Sequence, residues 1–500
     1  MHKPHQMNVI NMGIDTHQEP VAYMRDDCHI CRAEGFSASS RVCIQYQGEK
    51  ITATLNVVDI SKLPVGSIGL SHIAWMRLGV NANDKVTVTH ASVVDSVGFV
   101  RKKINGGTLT ESEITEIITD VCAHRYTDIE IAGFLSACAG NRLKLSEIVA
   151  LTRAMVNCGQ HLSWPEQTRI YDKHCIGGLP GNRTTPVVVA IVSAGGLVIP
   201  KTSSRAITSP AGTADTMSAF TNVDLTLADM KRVVSATGAC LAWGGAVNLS
   251  PADDLLIRIE RALDLDAEGQ LVASVLSKKI AAGSTDILID IPVGPTAKVC
   301  NRADAVRLAD LFKQVGNALD VRVRCVITDG SCPIGQGIGP VEEARDVLAV
   351  LRTIPEAPRD LRDRALQLAS NLLDMATDQG MESANKEATR ILDTGTAFKQ
   401  FQRIVEAQGV VKTLPDAGYK ETVYASVNGV INAIDSRRLA RLAKLAGAPE
   451  DVVAGIRLYK NVGNRVEAGD AVFTLLAASP GALEYALAFY QDNTDMFNIG

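Results

Sequence analysis

No stretch of this chain is apolar for long enough to cross a bilayer. The longest apolar run, Val187 to Ile199, is broken by Ser193, Gly195 and Gly196 and falls short of the roughly 20 residues a span requires. The first fifteen residues lack the apolar core of a signal peptide, so a cytoplasmic protein is expected, with no membrane partner. Basic excess is also missing. The formal charge is −5 and no Lys/Arg run extends beyond Arg101–Lys103, which excludes a general footprint for a nucleic acid polymer. Any anionic ligand must therefore be met locally. Eleven cysteines are scattered, and Cys122, Cys138 and Cys240 sit in apolar helical contexts that suit reduced, buried thiols. The one CxxC, Cys28 and Cys31 with His29 between, has no second ligand pair nearby, so it reads as an incidental loop and no metal site is expected. Internal repeats and low-complexity segments are absent as well.

Five hundred residues, 46% of them hydrophobic, exceed one ordinary core and imply three or four domains of roughly 100–150 residues. The stretch Asp172 to Met217 dominates. It holds two loops rich in glycine and hydroxyls, one with Lys173 and His174, the other with Lys201 and Arg205, separated by the strand-like run Val187 to Ile199. Gly177 and Gly178 permit close backbone approach, and Thr184 and Thr185 offer hydroxyls. In the second loop Thr202, Ser203, Ser204, Thr208, Ser209 and Thr213 surround Arg205. Backbone N–H groups, hydroxyls and a point charge together hold anions, so the stretch reads as a phosphate site.

The fold class expected is multidomain α/β. Residues 1–90 read as a small, mainly β domain: RVCIQYQ, KITATLNVV and DKVTVTH are strand-like, Ser71 to Gly79 is a short capped helix, and the first twenty or so residues, with His2, His5 and His17, are a frayed tail. Residues 91–165 read as a helical domain with helix starts at Thr110, Thr127 and Ser146. From 166 to 360 strands and helices alternate, as in a central α/β domain with a mixed sheet. Later helices, about 361–395, are expected to pack back on the helical domain, and 415–500 form a C-terminal α/β domain. Asp264, Asp266, Ser274, Lys278 and Lys279 lie around one further helix, and taken alone they support no claim.

In family order and spacing, FVRKKINGG with LTESEI, DKHCIGG, IPKTSSRAITSPAGT, ASVLSKKIAAG and DILIDIPVG resemble the thymidine phosphorylase family from about Val100 to Thr474. The extra β domain, GGLPGN and SRAITSPAGTAD resemble its long form, which includes AMP phosphorylases. The short form converts thymidine and phosphate to thymine and 2-deoxyribose 1-phosphate; AMP phosphorylases convert a nucleoside 5′-monophosphate to base and ribose 1,5-bisphosphate. Two positions depart from the short form. Cys175 stands where it has a Ser after the Lys-His pair, and Ile259, flanked by Arg258 and Arg261, stands where it has an Arg that grips the pyrimidine with Ser274 and Lys278.

Resemblance to the long form implies that Gly178, Ser204, Arg205, Ala206, Ile207, Thr208, Ser209, Thr213, Ser274 and Lys298 contact the nucleotide, and that Asp266 is the proton donor. Inorganic phosphate, held by Lys173, Gly178, Ser203 and Thr213, would attack the anomeric carbon while Asp266 or His174 protonates the leaving base. No cofactor is implied. The resemblance also implies a homodimer through the helical domain, with a larger homo-oligomer open to the C-terminal unit. An anthranilate-type phosphoribosyltransferase using a pyrophosphoryl sugar and Mg²⁺ shares the Ser-Ser…Gly-Thr-Ala-Asp loop, and a non-catalytic nucleotide-binding protein is the third reading.

Overall fold

Alternation of apolar residues fixes the inward face of the first unit, which spans 1–137 with 255–264. The computed structural model describes residues 5–16, 19–206, 209–247, 249–265 and 267–500. Six strands close a barrel, and His5–Asn11 completes the ring by pairing parallel with Ser67–Leu70 and antiparallel with Lys85–His90. Val42, Ile44, Ala53, Leu55, Val86 and Val88 alternate into its core. The frayed tail is thus corrected: Met7 and Val9, two residues apart, give His5–Asn11 a buried face. His2 and His17 lie outside the described residues. Ser71 and Gly79 bound the helix His72–Leu78 as expected, the serine Oγ accepting from Ala74 N–H and the glycine adopting a φ of 64°. Cys28 precedes the short helix His29–Glu34, and the Cys31 thiol is buried 3.6 Å from the Met24 sulfur.

Thr110 caps Glu111–Cys122 in a reciprocal box with Glu113. Thr127 and Glu130 do the same for Asp128–Cys138. The next helix, Leu145–Asn157, starts before the expected Ser146, because the Glu147 carboxylate accepts from Lys144 N–H at 2.8 Å and moves the cap back. A further helix, Val97–Ile104, went unread behind its basic Arg101–Lys103.

In the second unit, which comprises 138–254 and 265–500, Asp286–Val293 is flanked on both sides by parallel partners, Tyr171–Cys175 and Arg322–Asp329. Ile199–Ser203 and Ala239–Trp243 form a second parallel pair. These pairings are parallel, the arrangement that strand–helix–strand crossovers produce, whereas the short strand Gly337–Ile338 pairs antiparallel with Gly455–Leu458, so both senses occur among the described strands of 166–360. The run Val187 to Ile199, expected to be strand-like, is corrected: most of it lies in the helix Thr184–Ala194, with every residue from Thr184 to Ser193 buried. Its valines suit a strand, but Pro186 fits the first turn of a helix, where an N–H has no partner to lose. Arg359–Thr377, Met381–Asp393 and Thr396–Gln408 share its core, so the later helices expected to pack back on the helical domain cover this buried helix instead.

Near the C-terminus, Tyr419–Tyr424, Ala471–Ala477 and Gly455–Leu458 build a sheet whose fourth strand, Gly337–Ile338, comes from the preceding segment. Among the described residues no helix is long and apolar enough to cross a membrane.

Candidate active site

The strand Tyr171–Cys175 sends successive side chains to opposite faces, Asp172 and His174 to one, Lys173 and Cys175 to the other. On the first face buried Asp172 takes Lys201 at 3.1 Å and Lys279 at 3.0 Å on its two oxygens. Lys279 also donates to the carbonyl of Thr202 at 3.1 Å, which ties the second loop to this ion cluster. Burial and the neighbouring Lys201 push the Lys279 ammonium below its usual range despite Asp172. His174 is held well below the usual imidazole range, first by burial and then by Lys279, Lys201, Lys278 and Lys173. Its ring is therefore neutral at neutral pH.

On the other face the Lys173 ammonium is buried and donates to Thr184 Oγ1 at 2.9 Å and Thr185 Oγ1 at 3.5 Å. Asp290 lies 4.0 Å away, and Thr328 donates to one of its oxygens at 2.6 Å. Burial, with Asp290 beside it, pushes the Cys175 thiol up to about 12, so the residue is an uncharged thiol.

Gly178 has a φ of 84°, and a Cβ there would lie 3.0 Å from Lys298 N and 3.4 Å from its Cβ. Glycine is required for both reasons, and the close approach brings Lys298 to the first loop. Gly212 permits a similar close approach in the second loop, where a Cβ would stand 2.5 Å from Ser204 O. Asp215 fastens that crossing by accepting from Ala206 N–H at 2.6 Å and Gly212 N–H at 2.8 Å.

Arg205, expected as the loop's anion cation, instead contacts Asp215 and Asp224, each at 3.3 Å, and lies 4.8 Å over the Trp243 ring. Its side chain remains 41% exposed, so part of the guanidinium is open to a ligand. Ser203 Oγ is buried without a hydrogen-bond partner among the described residues, and Ser209 Oγ donates to Ala211 O at 2.8 Å. Arg183 joins the loops, donating to Thr213 Oγ1 at 2.9 Å.

On the helix Glu268–Ala281, Lys278 reaches Ser274 Oγ at 3.3 Å and the buried Asp253 at 2.6 Å. In the first unit Ile259 is buried, and Arg258 donates to Asp128 at 2.5 Å. Asp266, Ile207 and Thr208 lie outside the described residues. Asp172, Arg183, Asp290 and Glu343 were not singled out by the sequence. A charge inside an apolar strand, as in DILIDI, was the one signal that could have found Asp290. Among the described residues no cluster of three or more His, Cys, Asp or Glu could hold a metal.

Three family models match in chain order: a glycosyl transferase family helical bundle domain over residues 97–159, the α/β domain of that family over 167–398, and a pyrimidine nucleoside phosphorylase C-terminal domain over 430–496. A protein of Polaromonas sp. (strain JS666) named "Putative thymidine phosphorylase" is 52% identical over 496 residues, covering 99% of this chain and 97% of its own. The chain belongs to the thymidine phosphorylase family. Relatives in that family with corresponding names include one from Acidovorax sp. (strain JS42), 52% identical over 97% of this chain and 95% of its own, and one from Legionella pneumophila (strain Philadelphia 1), 49% identical over 99% and 96%. Family membership makes the chain a glycosyltransferase of the phosphorylase type. The crystal structure of anthranilate phosphoribosyltransferase from Thermus thermophilus aligns with a TM-score of 0.52 at 20% identity, over 62% of this chain and 98% of that one, and shows a shared fold.

Proposed function

We propose that this chain catalyses reversible phosphorolysis of the N-glycosidic bond of a nucleoside 5′-monophosphate, giving free base and ribose 1,5-bisphosphate, with thymidine as the competing substrate. The observation that carries the reading is the buried Lys173 ammonium beside Thr184 and Thr185, on a parallel strand whose carboxyl end runs into the glycine loop, the side on which α/β sheets bind ligands. Phosphate is assigned to Lys173, Gly178, Ser203 and Thr213. The nucleotide is assigned to Ser204 through Ser209, Ser274, Lys278 and Lys298. A phosphate oxygen attacks C1′, the C–N bond breaks, and the departing base nitrogen takes a proton. With His174 neutral among four lysines, the proton is assigned to Asp266, and His174 keeps a hydrogen-bonding part. Neutralising the repulsion between two phosphates is the larger task, and fixed donors perform it without reorganising.

The domain limits 1–90, 91–165, 166–360 and 415–500, a cytoplasmic location and a homodimer or larger homo-oligomer belong to the same proposal. The buried thiol of Cys31, beside the Met24 sulfur, is in keeping with a reducing compartment.

The test is base release, followed by chromatography, from AMP, CMP, UMP, thymidine and uridine in the presence of phosphate. Release from the monophosphates, lost in Asp266→Asn, is expected. Release from thymidine or uridine alone would reverse the preference. Turnover only with a pyrophosphoryl sugar and Mg²⁺ would move the chain to the transferase reading, and binding of nucleotide with no release from any substrate would make it a binding protein.

A further inference from the structure

We propose that Arg183 is a positioning residue whose guanidinium fixes the Thr213 hydroxyl as a hydrogen-bond donor toward the bound phosphate. The inference rests on the phosphate site proposed above. Arg183 stands just before the helix Thr184–Ala194 and is 8% exposed. All three of its nitrogens are used: Nε donates to Glu343 Oε2 at 2.5 Å, Nη1 to Thr213 Oγ1 at 2.9 Å, and Nη2 to Ala211 O at 2.8 Å. Glu343 is 1% exposed and is itself held by Thr216 Oγ1 at 3.2 Å and Gly339 N–H at 3.4 Å, so the fork has a fixed base.

A guanidinium has five donors and no acceptor. Thr213 Oγ1 must therefore accept from it, which leaves the hydroxyl hydrogen to be donated elsewhere. A threonine without such a neighbour can present either a lone pair or a hydrogen to a ligand; this one presents the hydrogen. Thr213 is part-exposed, so an anion can reach it. In the first loop the Lys173 ammonium likewise donates to Thr184 and Thr185, and there the Thr184 hydroxyl passes its hydrogen on to Asn182 Oδ1 at 3.4 Å. Arg183 is not itself the cation that holds phosphate, because Glu343 neutralises its charge at contact distance. It bridges the loops instead, since its own position belongs to the first and Thr213 and Ala211 to the second.

The test is a double-mutant cycle on the full-length protein, read as the Kd for inorganic phosphate by calorimetry and, in turnover, as phosphate KM against kcat. Thr213→Val and Arg183→Met are each expected to weaken phosphate by about tenfold or more, the loss of a hydrogen bond to a charged group. The double variant is expected to be no weaker than either single one, because both remove the same interaction. Thr213→Ser should bind nearly as wild type in the presence of Arg183. Losses that multiply in the double variant, or an Arg183→Met protein that binds phosphate normally, would overturn the inference and leave the phosphate site standing. A wild-type protein that binds no phosphate would overturn both. Melting of each variant is measured alongside, and if Arg183→Met does not fold, Arg183→Lys, which keeps a charge for Glu343 but lacks the planar fork, closes the same cycle.

Discussion

At His174 a single ring reports the field of the whole site. Burial and four lysines keep it neutral, so it should titrate well below the usual range in the free protein. A bound phosphate places negative charge against those lysines and should raise it. NMR titration of the ring with and without inorganic phosphate checks this, and an unchanged value would place the anion elsewhere. Residues at this scale were legible where chemistry and chain position coincide. Lys173 and His174 stand beside a glycine pair and could be found. Arg205 could not be judged, because Asp215 and Asp224, which contact it, look unremarkable in the sequence. Arg183 and Glu343 were invisible for another reason: 160 positions separate them, and only folding brings them together.

Among the elements, local signals were read well and buried ones badly. The caps at Thr110, Thr127 and Ser71 are written in the residues that make them, so they could be recognised without the fold. Replacing Thr110 by Ala should remove one half of a reciprocal box and cost about 1 kcal/mol, measured by chemical denaturation. A helix buried all round carries no periodic stripe, which is why the run from Val187 reads as strand-like although it belongs to the helix Thr184–Ala194. The loop before it yields a sharper expectation. Gly178→Ala forces a side chain into a φ of 84° and toward Lys298 N, a strain of roughly 1–2 kcal/mol. Phosphate affinity should fall severalfold, whereas melting should change little; an undiminished affinity would remove Gly178 from the site.

For the molecule as a whole, acid should weaken the barrel-containing unit through one buried histidine. His124 is depressed to about 4 by burial and by Arg77, Arg258 and Arg41. Glu19 and Asp128 line the same small cavity but do not reverse the direction. An unfolded histidine takes up a proton near pH 6.5, so between about 6.5 and 4 the unfolded chain binds a proton that the folded one refuses. Stability contributed by this group is present above pH 6.5 and lost on acidification, on the order of 2 kcal/mol after its partial exposure is allowed for. The unfolding midpoint of His124→Gln should depend less steeply on pH across that window than that of the wild type. The barrel itself was only half legible: three of its strands were readable, but closure rests on Met7 and Val9, too few apolar residues to announce a strand. That closing strand also sets an order of events during synthesis. Met7 pairs with Val86, so the edge of His5–Asn11 that does not meet Ser67–Leu70 must wait, bare, until the last strand of the ring has emerged. Such long-range closure is slow, and the nascent chain is most open to mispairing in that interval.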